Sequence, residues 1–187
     1  MNDSIVIMGV AGCGKSSLGA AVASACGLRL IEGDDHHSAA SRAKMQGGIA
    51  LTDADRDGWL TTLGAALNTS PLGATLNTTC PQGVVLTCSA LKRSYRDRLR
   101  RAAPGLRFVY LDISRVDALA RVQARAATHF FSTSLVDSQF DTLEAPIGEA
   151  GVLRVDAREP ISQLSARVVD WLRTLQATPQ PTRTEPA

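Results

Sequence analysis

Residues 9–16, Gly9-Val10-Ala11-Gly12-Cys13-Gly14-Lys15-Ser16, fill the pattern G-x-x-x-x-G-K-[ST]. Successive backbone N–H groups in such a glycine-rich turn can point inward around an anion. The lysine then reaches the β- and γ-phosphates and the hydroxyl can ligand Mg²⁺. Eight residues recur by chance, so the flanks decide. Ser4-Ile5-Val6-Ile7-Met8 before them is a buried-strand run, and Leu18, Ala21, Val22 and Ala25 after them repeat at helical spacing. A phosphate-binding loop between a strand and a helix is therefore predicted. Its nucleotide contacts extend from Gly9 to Ser17, with Lys15 as the phosphate cation and Ser16 as a metal ligand.

Outward from the loop, the first helix is predicted from Lys15 to Cys26, stopped by Gly27. Leu28–Gly33 reads as a strand delivering Asp34-Asp35 at its C-terminal end, where open α/β sheets hold their ligands. A short helix is predicted over 38–45. Thr52 and Asp55 form a capping-box-like start to a helix carrying Trp59, Leu60, Leu63 and Leu67. Residues 68–82 read as a loop. Val84–Cys88 is the next strand, and Ser89 can cap a helix whose stripe is Leu91, Tyr95 and Leu99. Its many basic residues, Arg96, Arg98, Arg100 and Arg101 among them, are predicted on the remaining faces, the last three as a solvated face. Arg107–Ile113 is a fourth strand, 114–127 a helix with Val116, Leu119 and Val122 inward, and Val152–Val155 a fifth strand. A last helix carries Leu164, Val168, Trp171, Leu172 and Leu175, with a disordered tail from about Gln176. Strands alternating with helices predict one α/β domain over 1–175, a five-stranded parallel sheet with helices on both faces.

The 187 residues suit one domain, and a formal net charge of +2 gives no global case for nucleic acid or an anionic membrane as partner. Four cysteines without C-x-x-C spacing read as reduced thiols. No apolar run approaches the length of a membrane span, and a cytoplasmic protein is expected. Asp34 has two readings: a carboxylate that orients or deprotonates an acceptor hydroxyl or holds Mg²⁺, and an ordinary helix N-cap.

Further stretches match one family in order: Gly33-Asp34 with His37; Lys44-Met45; Leu51-Thr52-Asp53 with Asp55-Arg56 and Trp59-Leu60; Cys88-Ser89-Ala90-Leu91-Lys92 with Tyr95-Arg96-Asp97; His129-Phe130; Leu135 with Ser138-Gln139-Phe140 and Thr142-Leu143-Glu144; and Pro146. With the loop they cover roughly residues 4–172, and the chain resembles the gluconate kinases, P-loop phosphotransferases related to shikimate and adenylate kinases. Ser38 stands where that family usually has proline. Arg125 lies four residues before His129 where the family has an arginine three before it, and Thr128 replaces a glycine.

The resemblance implies a three-layer P-loop kinase fold with a substrate-side helical segment near 38–67 and a lid near 125–150. The implied reaction passes the ATP γ-phosphoryl group to gluconate with Mg²⁺, and the implied assembly is a homodimer. Catalytic roles fall to Lys15, Asp34 and Arg125, the last as lid arginine, with Ser16 and Asp34 at the metal. Arg121 joins the nucleotide contacts. Acceptor contacts fall to Asp34, His37, Lys44, Arg56, Lys92, Arg93, His129 and Gln139. A salt-bridged helix surface explains Arg121 and Arg125 almost as well. The alternatives are a related kinase acting on shikimate, a nucleotide or another sugar acid, and a non-enzymatic nucleotide-sensing module.

Overall fold

The computed structural model describes residues 4–68, 83–125 and 133–177. The strands are β1 (Ile5–Met8), β2 (Arg29–Glu32), β3 (Val84–Cys88), β4 (Arg107–Asp112) and β5 (Val152–Asp156). The helices are α1 (Lys15–Cys26), α2 (Ala39–Gln46), α3 (Asp53–Asn68), α4 (Arg93–Ala102), α5 (Arg115–Arg125), α6 (Thr133–Thr142) and α7 (Ile161–Ala177). All pairings are parallel, in the order β2-β3-β1-β4-β5. Because β1 is central, its side chains alternate between two cores. Ile5 and Ile7 pack with Leu18, Val22, Leu164 and Val168 on one face, and Val6 and Met8 with Trp59, Leu63, Tyr95 and Leu99 on the other. Hence β1 is apolar throughout, as expected of a strand buried on both faces.

The helix starts follow local chemistry. Asp55 accepts from the Thr52 N–H and Oγ1 while its own N–H donates to Thr52 Oγ1, the reciprocal box predicted for α3. Gly27, at φ 66°, closes α1.

Three expectations need correction. Ser89 does not cap α4. The helix begins at Arg93, whose N–H donates to the carboxylate of Glu144, a long-range cap that local spacing does not show. Val116 is 76% exposed; α5 turns Ala118 and Val122 inward. Arg96 is fully buried rather than on a polar face. Its Nη1 donates to the carbonyls of Ala90 and Leu91 at 2.9 Å, and its Nε and Nη2 pair with Glu149. Arg98, by contrast, is a surface residue paired with Asp57. The 68–82 loop from residue 69 on, and the tail from 178, lie outside the described residues.

Candidate active site

The loops after β1, β2 and β3 open on one cavity of about 520 Å³ at the C-terminal ends of the strands. Its phosphate side is made by Ala11, Gly12, Gly14, Lys15, Ser16 and Ser17. Gly12 has φ 80°, and a Cβ there would come within 2.7 Å of the Ala118 carbonyl oxygen, so glycine lets α5 close against the loop. Gly9, Val10 and Cys13 do not line the cavity. Cys13 is buried beneath the loop, and burial pushes its thiol pKa up, which makes it packing rather than a nucleophile. Lys15 Nζ donates to the Val10 carbonyl at 3.1 Å.

Ser16 Oγ donates to Glu32 Oε2 at 3.0 Å, and the same carboxylate accepts from Thr87 Oγ1. Glu32, on the cavity wall, was missed in the sequence. Its signal was its place at the end of the strand that delivers Asp34, two residues on.

The acceptor side is assembled from four other segments. Gly33 begins a 3₁₀ turn (Gly33–His36), and a Cβ there would collide with the Thr87 carbonyl; only glycine lets this turn lie against β3. Trp59 Nε1 donates to Gly33 O at 2.7 Å and pins the turn from behind. Asp34 thereby stands on the cavity wall. It caps no α-helix: Ser38 is the N-cap of α2, accepting from the Ser41 N–H.

His37, 6% exposed, stacks on Trp59 with ring centroids 4.4 Å apart, and its Nδ1 has no hydrogen-bond partner. Burial lowers the His37 pKa. Asp34, with Oδ1 at 4.0 Å from Nε2, opposes this shift, and Arg56 and Arg42 reinforce it. The ring is therefore neutral near pH 7, with Nδ1 fully buried and Nε2 on the side of Asp34. Arg56 lines the cavity, with Nη1 anchored on the Leu51 carbonyl.

Other expected cations are placed elsewhere. Lys44 Nζ pairs with Asp55 at 2.6 Å, and Lys92 Nζ with Asp53 at 2.7 Å; neither lines the cavity. The Arg93 side chain is exposed beside Asp97. Asp53 and Asp55, cap and motif residues in the sequence, thus engage the lysines across elements. Arg121 Nη2 donates to the Ala157 carbonyl at 2.9 Å. Arg125 ends α5 with its side chain outside the described residues, and His129 lies outside them altogether.

Gln139, on α6, reaches the cavity wall, and its Oε1 accepts from the Ala11 N–H at 2.6 Å. Beyond α6, the Glu144 N–H donates to Leu91 O, and Glu149 pairs with Arg96 and Arg100. The later part of the expected lid is thus tied to α4 and to the turn before it. Asp35, Met45, Leu51, Ser89 and Val122 complete the wall; Met45, Leu51 and Ser89 fall in the family-matching stretches without being named as contacts there.

A cradle for polyphosphate facing a carboxylate and an arginine across one cavity is the arrangement of a small-molecule phosphotransferase. The family model described as an AAA domain matches residues 5–148. The chain is 38% identical over 164 residues to the thermosensitive gluconokinase of Escherichia coli K12, covering 87% of this chain and 83% of that protein. It is 43% identical over 148 residues to a probable gluconokinase of Schizosaccharomyces pombe, covering 77% and 74%. A solved gluconokinase structure from Sinorhizobium meliloti 1021 superposes with a TM-score of 0.80 at 43% identity, covering 92% of each chain. The loop, the sheet order and likeness of this extent together place the chain in the gluconokinase family of P-loop kinases.

Proposed function

We propose that this protein transfers the γ-phosphoryl group of ATP to the 6-hydroxyl of D-gluconate. The observation that carries the reading is the single cavity in which Lys15 and Ser16 face Asp34, His37 and Arg56. Lys15 balances phosphate charge. The Asp34 carboxylate orients the attacking hydroxyl and takes its proton, and the Arg56 fork suits a sugar-acid carboxylate. His37 offers the Nε2 of a neutral ring, beside Asp34, to a polyol hydroxyl. A nucleotide-sensing module needs no acceptor-side carboxylate, so the cavity favours the enzyme.

The donor set fits Mg²⁺, which prefers oxygen ligands. The Ser16 hydroxyl donates its hydrogen bond to Glu32, which leaves its oxygen lone pairs for a cation, and Asp34 stands on the same wall. When bound, the ion would neutralise charge on the β- and γ-phosphates. Closure of the stretch from Arg125 onward, excluding water from the cavity, belongs to this reading, as do a homodimer and a cytoplasmic setting. Among the described residues, no helix is long and apolar enough to cross a membrane.

Measuring ADP release over gluconate, other aldonates, shikimate and nucleoside monophosphates tests the reading. Gluconate is expected to give the highest kcat/KM. Preference for shikimate or a nucleotide would replace it with a related kinase activity, and ATP binding without turnover on any acceptor would favour the sensor.

A further inference from the structure

Gln139 is half-buried on α6, far in sequence from the phosphate loop, yet its Oε1 lies 2.6 Å from the Ala11 nitrogen. A backbone N–H can only donate, so the amide must turn its oxygen to Ala11 and its nitrogen away. Among the described residues Nε2 has no hydrogen-bond partner. Among those residues the only fully buried side-chain polar atom without one is His37 Nδ1, so Gln139 Nε2 is accessible at the cavity wall. The same peptide group is held at its other edge: Lys15 Nζ donates to Val10 O, and Val10 C=O and Ala11 N–H belong to one peptide unit. A hydrogen-bond chain therefore runs from the Lys15 ammonium through that peptide to the Gln139 amide. Each link polarises the next and makes Nε2–H a stronger donor.

We propose that Gln139 is a catalytic residue whose Nε2 donates to the phosphoryl group during transfer. The proposal rests on the kinase reading above and assigns that site a neutral donor beside its cations. Lysine and arginine have no acceptor atom, so neither could satisfy Ala11 N–H and donate into the cavity at once; an amide does both. In the step, the bond between the γ-phosphorus and the β–γ bridging oxygen breaks, its electron pair leaving with ADP. The acceptor hydroxyl oxygen bonds to phosphorus and its proton passes to the Asp34 carboxylate. Gln139 keeps both its protons and stabilises charge on the equatorial oxygens.

Two variants test this. In Gln139→Glu one carboxylate oxygen still accepts from Ala11 N–H, so loop anchoring survives while the donor is lost. Gln139→Met removes both. Both are expected to unfold near the wild-type temperature and to lose roughly 10²–10³-fold in kcat, the cost of deleting one such donor. The affinity of ADP with aluminium fluoride and Mg²⁺, a mimic of the transferring group, should weaken in both. The glutamate variant alone should recover kcat relative to wild type as pH falls, because a protonated carboxyl donates again. Near-wild-type kcat and aluminium fluoride affinity in Gln139→Glu would reduce the residue to an anchor, and the same in Gln139→Met would leave it no catalytic part. If wild type proves inactive on gluconate, the gluconate reading fails, while the aluminium fluoride comparison still decides the role of Gln139.

Discussion

The two walls of the cavity are built in opposite ways. The phosphate wall is one contiguous stretch, from the loop after β1 into the first turn of α1, steadied from outside by Gln139 at Ala11 and Glu32 at Ser16. The acceptor wall draws on the 3₁₀ turn after β2, the end of α2, the start of α3 and the turn after β3, joined by contacts such as Trp59 to Gly33 and Glu144 to Arg93. Function on the first wall is written in spacing. On the second it is written in packing, and a side chain's role there depends on which partner reaches it first. Lys44 and Lys92 show this: each is a cation of suitable type, and each is engaged by an aspartate instead.

The largest effect should come from the contiguous wall. Lys15→Ala is expected to lower kcat by roughly a thousandfold, the upper end for removing one electrostatic donor, with unfolding temperature unchanged. A folded variant retaining near-normal turnover would break the assignment of phosphate charge to this wall. Across the cavity, Asp34→Asn should lower kcat by roughly a hundredfold, the lower end for a general base, and leave ATP affinity nearly intact. Unchanged turnover would remove the carboxylate from the chemistry.

The acceptor wall's support can be separated from its chemistry within α4. Arg96→Met should cost about 2–3 kcal/mol, because the buried carbonyls of Ala90 and Leu91 lose their donor, while Glu149 keeps Arg100 as its partner. Arg98→Ala, at the surface, should cost less than about 1 kcal/mol. Equal losses in denaturant unfolding would contradict this division between a structural and a surface arginine.

The smallest effect concerns pH. The folded-state pKa of His37 lies below its ordinary value of 6.5, so the unfolded chain binds more protons as pH falls past 6.5. Stability attached to the neutral ring is complete above that pH and is lost as pH drops through the lowered folded value. His37→Gln should flatten the unfolding midpoint between pH 7 and 5. An unaltered profile would mean that other groups govern acid sensitivity.

Much of the fold was legible because its decisive signals are local. The Thr52–Asp55 box, Gly27 and the apolar run of β1 each act within a few residues, and all appear where their spacing puts them. Arg96 was not legible. Its place beside Tyr95 and three residues before Leu99 could have marked the inner face, but the partner that makes its burial tolerable, Glu149, is 53 residues away. Glu32 was half legible, being two residues from Asp34 yet defined by hydroxyls of Ser16 and Thr87 on other elements. Val116 misled because hydrophobic spacing was extended one residue too far into the start of α5.

The central claim is that these two walls act as one site on one sugar acid. The most direct test is ³¹P NMR of the wild-type protein with ATP, Mg²⁺ and D-gluconate, with Lys15→Ala and Asp34→Asn as controls. The expected result is loss of the γ-phosphate resonance matched by a phosphomonoester on the gluconate C6 oxygen, abolished in the first variant and strongly slowed in the second. ATP conversion to ADP and free phosphate, with no ester and no dependence on gluconate or Asp34, would contradict the account.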